Sequence, residues 1–189
     1  MGALTTLADR SVARLTEEEV IRRVVQSLAE AAPATRKTCA AGDVLFVTGR
    51  LGGSLYGRHL DFPPRLAEGE WLCGHGEVTA CTDLSDGLAK DLPGLLGPKH
   101  DARIDLAALP VADAAQALAK SDGKPALEHA LQDGEDYELL FTVAADRADL
   151  LEASFRKAFP LTPLTRLGAW QLRERLDVEA MDAAAQALP

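Results

Sequence analysis

Apolar positions along the chain change their period several times, and each change marks an element. Over residues 16–31, Val20, Ile21, Val24, Val25 and Leu28 recur at helical spacing. Thr16 and Glu19 form a capping box at the start of that stripe. Ala31-Ala-Pro-Ala-Thr35 breaks it and reads as a linker. After Gly42-Asp43, the run Val44-Leu-Phe-Val-Thr48 is short and apolar, the pattern of a buried strand. Val78, Ala80 and Thr82 then alternate against Thr79 and Cys81, which predicts a strand leading into a helix that Leu84 begins. Pro93 should kink or shorten that helix, with Gly94 and Gly97-Pro98 finishing it. Further on, the pattern predicts strands over 102–106, 137–143 and 164–170. Helices are expected over 111–120 and 125–131, on either side of the turn Ser121-Asp-Gly-Lys124. Residues 147–159 form an amphipathic helix with Leu150, Leu151, Phe155 and Phe159 on one side, and the tail from Val178 is alanine-rich helix. Strands interspersed with helices predict an α+β fold: a mixed sheet with helices packed on it. An amino-terminal helical segment and linker, 1–35, precede a domain over 36–189.

Composition narrows the partners. Apolar residues make up 47% of the 189 positions and charged residues 26%, values of a soluble globular protein. The net charge of −9 argues against nucleic acid, because duplex binding needs clustered Lys and Arg. A bound nucleotide would need its charge offset locally, and a divalent metal is the obvious means. Cys39, Cys73 and Cys81 are odd in number and lack zinc spacing, so they read as reduced cytoplasmic thiols. No apolar run approaches the length of a membrane span.

Candidate chemistry concentrates in Val78-Thr-Ala-Cys-Thr-Asp-Leu-Ser-Asp-Gly-Leu-Ala-Lys-Asp-Leu92. A strand-to-helix turn aims backbone N–H groups and a helix dipole at an anion. Asp83 and Asp86 in that turn would repel a bare phosphate but hold Mg²⁺ bound to one, since magnesium takes one or two carboxylates and fills its shell with water and phosphate oxygens. The Ser85 hydroxyl could bond a phosphate oxygen or a metal-bound water. The same residues also suit an ordinary helix start, with Asp83 or Ser85 as N-cap and Asp86 in the first turn. Spacing alone leaves both readings open.

Three other stretches carry weaker signals. Thr48-Gly-Arg-Leu-Gly-Gly-Ser-Leu-Tyr-Gly57 is glycine-rich but lacks the Gly-Lys-Ser/Thr of a P-loop, so a tight turn is the favoured reading. His75, between Gly74 and Gly76, reads as a solvated loop histidine. Asp133-Gly-Glu-Asp136 crowds three carboxylates at a strand entry, an arrangement that is costly unless solvated or ligated.

Asp83-Leu-Ser-Asp-Gly-Leu88 followed by Asp91-Leu92, together with Gly134-Glu-Asp-Tyr-Glu-Leu-Leu-Phe-Thr142, resembles the two signatures of thiamine-monophosphate kinases. That family belongs to the aminoimidazole ribonucleotide synthetase and selenophosphate synthetase superfamily. The resemblance covers about residues 36–170 and corresponds to the family's carboxy-terminal half, which implies that domain's fold. It implies ATP-dependent phosphorylation of thiamine monophosphate to thiamine diphosphate, with ATP as co-substrate and Mg²⁺ as metal. Carried over by motif, Asp83 and Asp86 are metal ligands, and Ser85 and Arg36 contact the nucleotide. Glu135, and after it Asp136, face thiamine phosphate, balancing the thiazolium charge or accepting from the aminopyrimidine. The family has glycine where Asp133 stands, a difference expected to narrow or recharge the pocket. The family's amino-terminal Gly-Asp-Asp-Ala segment has no counterpart here, nor has its terminal aromatic segment after Trp170. Weak or absent kinase activity from this chain alone is therefore expected, with a homodimer or partner subunit left open. The alternative is a non-catalytic or partner-dependent module that binds thiamine phosphate or nucleotide.

Overall fold

The structure, a computed structural model, describes residues 42–60, 62–96 and 100–172. The helix expected over 16–31, Arg36, Cys39 and the alanine-rich tail lie outside the described residues.

The apolar run Val44–Thr48 forms β1, and it lies at the centre of a five-stranded sheet ordered β2-β4-β1-β5-β3. The other strands are β2 (Val78–Asp83), β3 (His100–Ile104), β4 (Leu139–Val143) and β5 (Leu164–Leu172). Every ladder between these strands is antiparallel, and a parallel bridge joins Leu51 to Val111. The class is α+β, as the alternation of elements predicts, but the sheet is antiparallel rather than mixed.

Central strands covered on both faces need side chains of both parities to be apolar, and β1 and β4 meet that demand. Leu45, Val47 and Leu140 point to one core with Leu84, Leu88, Leu109 and Leu167. Phe46, Leu139, Phe141 and Val143 point to the other, with Leu72, Leu151 and Phe155. Phe46 and Phe141 are register partners, and their rings stack at 5.5 Å. The first face carries α2 (Leu88–Leu96) and α4 (Ala126–Gln132), which packs beside α3 (Asp113–Asp122). The second carries α1 (Leu66–Cys73) and α5 (Ala148–Ala158).

Several expectations change. α2 starts at Leu88 rather than Leu84, because Leu84 is still paired as a strand. Its N–H donates to the Glu138 carbonyl at 2.9 Å and its own carbonyl accepts from Tyr137 N–H at 2.9 Å. The helix also runs through Pro93 to Leu96. Leu88 and Leu96 are buried and Leu92 and Leu95 pack on the same core, so tertiary contact outweighs the backbone bond that proline lacks. Residues 66–73, for which the pattern predicts no element, form α1 around a buried carboxylate, Glu68, which accepts from Thr162 Oγ1 at 2.6 Å. His75 packs its ring 3.6 Å from that of Trp71 instead of standing free in a loop. Among the described residues no helix is long and apolar enough to cross a membrane.

Gly168 lies beside a bulge in β5, where Leu45 pairs with Gly168 and Phe46 with Arg166. A Cβ there would run into the Arg103 carbonyl of β3, whereas one on exposed Gly94 in α2 would meet open space. We therefore expect Gly168→Ala to lower unfolding free energy by about 1–3 kcal/mol or more. Gly94→Ala should raise it by about 0.5–1 kcal/mol. Urea denaturation of both variants checks the pair.

Candidate active site

The two signature stretches meet at the end of β2. Asp83 pairs with Leu139 as the last ladder position, and the chain then continues the pairing through irregular backbone. Glu135 N–H donates to the Ser85 carbonyl at 2.8 Å. Glu135 and Tyr137 both take positive φ, 57° and 49°. Gly134 crosses so close to the turn that a Cβ would lie 2.7 Å from the Ser85 carbonyl oxygen. Only glycine permits that approach at φ 72°. The backbone of 134–137 thus presents Glu135 beside Ser85.

Acids dominate the turn. Asp83 is half-buried, and its carboxyl is pushed up chiefly by burial, eased by its backbone hydrogen bond and raised again by the charges of Asp91 and Asp86. Asp91, from the first turn of α2, reaches back so that its carboxylate accepts from Asp86 N–H at 3.0 Å. Asp91, not Asp83 or Ser85, therefore supplies this observed contact to the turn's amides. Asp86 remains exposed and Ser85 half-buried. The charges of Asp86 and Asp91 favour the protonated form of Asp83, and Asp86 acts likewise on Asp91, so the turn is a place where a cation is welcome.

Behind Glu135 the chain is fastened by ionic contacts. Glu138, 1% exposed, accepts from Thr48 Oγ1 at 2.8 Å, from Arg58 at 2.5 Å and from Arg65 Nε at 2.7 Å. Asp136, 2% exposed, accepts from Gly52 N–H at 2.9 Å. Burial pushes its carboxyl up to about 7, despite the Gly52 bond and the Arg58 charge, which act the other way. Asp133 accepts from Gly53 N–H at 3.1 Å. Tyr137 donates its hydroxyl to Glu135 Oε2 at 2.5 Å and stacks its ring on Phe62 at 4.5 Å.

Comparison with known proteins gives the chain its relatives. No family model matches the chain. The thiamine-monophosphate kinase of Rhodopirellula baltica is 42% identical over 137 residues, covering 72% of this chain and 42% of that protein. The crystal structure of thiamine-monophosphate kinase from Stenotrophomonas maltophilia superposes with a TM-score of 0.61 at 30% identity, over 74% of this chain and 50% of that one. The structure of AaThiL complexed with AMPPCP and TMP gives 0.58 at 27%, over 74% and 48%. The chain belongs to the thiamine-monophosphate kinase family. It spans half or less of the length of these relatives.

Of the family residues expected from the sequence, the structure brings Asp83, Ser85, Asp86, Glu135 and Asp136 to one end of the sheet. Arg36 lies outside the described residues. Glu135 is half-buried beside the acidic turn, whereas Asp136 turns inward to the glycine-rich stretch. That stretch is a tight turn with short 3₁₀ segments at Ser54–Tyr56 and Arg58–Leu60, and its Gly52 and Gly53 amides are already occupied by Asp136 and Asp133. Sequence reasoning passes over Glu138, Arg58, Arg65 and Asp91. The two acids lie inside the quoted signatures, so their signal was present, but the arginines sit in stretches that nothing marks.

Removing the Glu138 charge takes the shortest carboxylate contact from two part-buried guanidiniums, Arg58 and Arg65, so Glu138→Gln should cost about 3–5 kcal/mol. Asp113→Asn, which breaks the exposed pair with Arg50, should be indistinguishable from wild type in the same urea titrations. Asp136 gives a pH signature. Its folded-state carboxyl holds a proton up to about 7, well above the ordinary 3.8, so the folded state binds more protons than the unfolded across that window. Stability therefore falls as pH rises through it. Asp136→Asn should flatten that decline, as followed by melting temperature against pH.

Proposed function

We propose that this chain contributes the metal–phosphate and thiamine-phosphate portion of a kinase site that uses ATP to convert thiamine monophosphate to thiamine diphosphate. The observation that carries the reading is the junction of the two signatures, where Glu135 N–H bonds the Ser85 carbonyl at 2.8 Å and sets a substrate-side acid against a metal-side turn. AaThiL, related at 27% identity, has been solved with AMPPCP and TMP together, the pair of ligands this reading requires.

Asp83 and Asp86 would hold Mg²⁺. Their chemistry fits, since hard carboxylate oxygens suit magnesium and the crowding of Asp83 by Asp86 and Asp91 is relieved by a cation. Among the described residues no group of three or more His, Cys, Asp or Glu is placed to hold a metal by itself. That leaves the rest of a magnesium shell to water and phosphate oxygens, the usual division for this ion. When bound, the metal neutralises phosphate charge and aligns the groups for in-line transfer.

The chain's own residues do the positioning. Ser85 donates its hydroxyl to a phosphate oxygen, and Arg36 adds a nucleotide contact. Glu135 balances the thiazolium or accepts from the aminopyrimidine, with its carboxylate held by the Tyr137 hydroxyl and Tyr137 held by Phe62. Asp136 acts one step back, through Gly52. Phosphoryl transfer relies on such placement and on charge compensation more than on covalent chemistry.

Coupled ADP release with thiamine monophosphate and Mg·ATP should show turnover that disappears without the phosphate acceptor. Binding of thiamine phosphate by calorimetry with no turnover would instead favour the partner-dependent binding module. Asp83→Asn with Asp86→Asn should weaken metal-dependent nucleotide binding by about tenfold or more. An unchanged affinity, or no affinity in the folded wild type, overturns the assignment.

A further inference from the structure

His129, 5% exposed near the end of α4, plays no part in the site just described, yet it lies between two carboxylates. Its Nδ1 is 3.0 Å from both Asp133 oxygens, and its Nε2 is 3.3 Å from Asp122, the last residue of α3. An ionised carboxylate only accepts hydrogen bonds, and a neutral imidazole donates from one nitrogen only. Both contacts are satisfied together only by the imidazolium. Asp133 passes the contact on, because its Oδ2 also accepts the Gly53 amide at 3.1 Å. A line of bonds therefore runs from the carboxy-terminal end of α3, through the ring, to the glycine-rich turn.

We propose that Asp122, His129 and Asp133 form a proton-dependent clamp that fixes the glycine-rich turn through the Gly53 amide. The surrounding charges are compatible with it. From the turn after α3, Lys124 donates its backbone N–H to Asp122 at 3.0 Å and places its ammonium 3.9 Å from Glu128 of α4. On the turn side, the nearest acid is Asp136, whose ionisation Asp133 disfavours. The Asp133 hydrogen bond, followed by Asp122, holds the ring pKa above its ordinary 6.5. A raised imidazole pKa means the contribution is complete below about 6.5 and is lost as pH climbs past the folded value. On deprotonation one of the two carboxylates faces a ring lone pair, and the link from α3 to the turn opens. A Cβ at Gly53 would lie 2.6 Å from the Ala115 nitrogen, so the turn packs directly against α3 at the point where Asp133 tethers it.

The clamp goes beyond the proposed kinase reading and stands without it, because its test uses no ligand. In the full chain, the His129 ring and the Gly53 amide are followed by NMR from about pH 5.5 to about pH 9. The expected result is one shared midpoint, with Gly53 protection, corrected for intrinsic exchange, falling about tenfold as the ring deprotonates. Asp133→Asn keeps an acceptor for Gly53 but removes the charge. It should lower the ring's midpoint and abolish the pH dependence of Gly53 protection. A Gly53 amide indifferent to the wild-type ring titration overturns the proposal, as does a coupling that survives in Asp133→Asn. Should that variant fail to fold, the wild-type titration alone still decides.

Discussion

The carboxylate of Glu138 is the contact on which the site's shape rests. A charge at 1% exposure persists only when paired and fully hydrogen-bonded, and Arg58, Arg65 and Thr48 together meet that condition. These partners come from the end of β1, from the 3₁₀ segment after the glycine-rich turn and from the residue before α1, so one acid ties three distant stretches of chain. Gly49 approaches so closely that any side chain there would strike the same carboxylate. The reward is positional. With Glu138 pinned, the strained residues Glu135 and Tyr137 have a fixed anchor on one side and the paired Leu84 on the other.

Carboxylates are used in two different ways within a few residues. Glu138, Asp136 and Asp133 face inward and are spent on arginines and glycine amides. Glu135, Asp83 and Asp86 remain half-buried or exposed. The inward set shapes the backbone, while the other acids keep part of their surface exposed. The same inward set explains why the glycine-rich turn is no phosphate cradle: the Gly52 and Gly53 amides that a phosphate would need already bond acids of the chain itself. The clamp through His129 extends this logic to α3 and α4, so the turn is held from both of its neighbours.

The elements that bury one continuous apolar pattern were legible in the sequence. β1 is found over the residues predicted, and α5 differs from its predicted span by one residue at each end, because burial on two faces or along one stripe writes itself into the spacing of Leu, Val and Phe. Boundaries set by long-range pairing were not legible. Nothing local says that Leu84 continues a strand against 137–138, or that α2 survives Pro93. α1 shows no such stripe, and its packing of Leu72 and its Glu68–Thr162 bond both reach partners far along the chain.

For the site, the sequence by itself determined the chemistry on offer: which stretches carry acids, hydroxyls and glycines, and which family their order matches. Those are properties of residue type and spacing, and they need no coordinates. Which acid faces outward and which is consumed inside was decided only by tertiary structure. Asp136 and Glu135 are adjacent and nearly alike in chemistry, but positive φ at Glu135 turns neighbouring side chains to different surroundings. The roles of Arg58, Arg65 and His129 likewise exist only where the folded chain brings distant charges within hydrogen-bond distance, and a linear pattern carries no record of that distance.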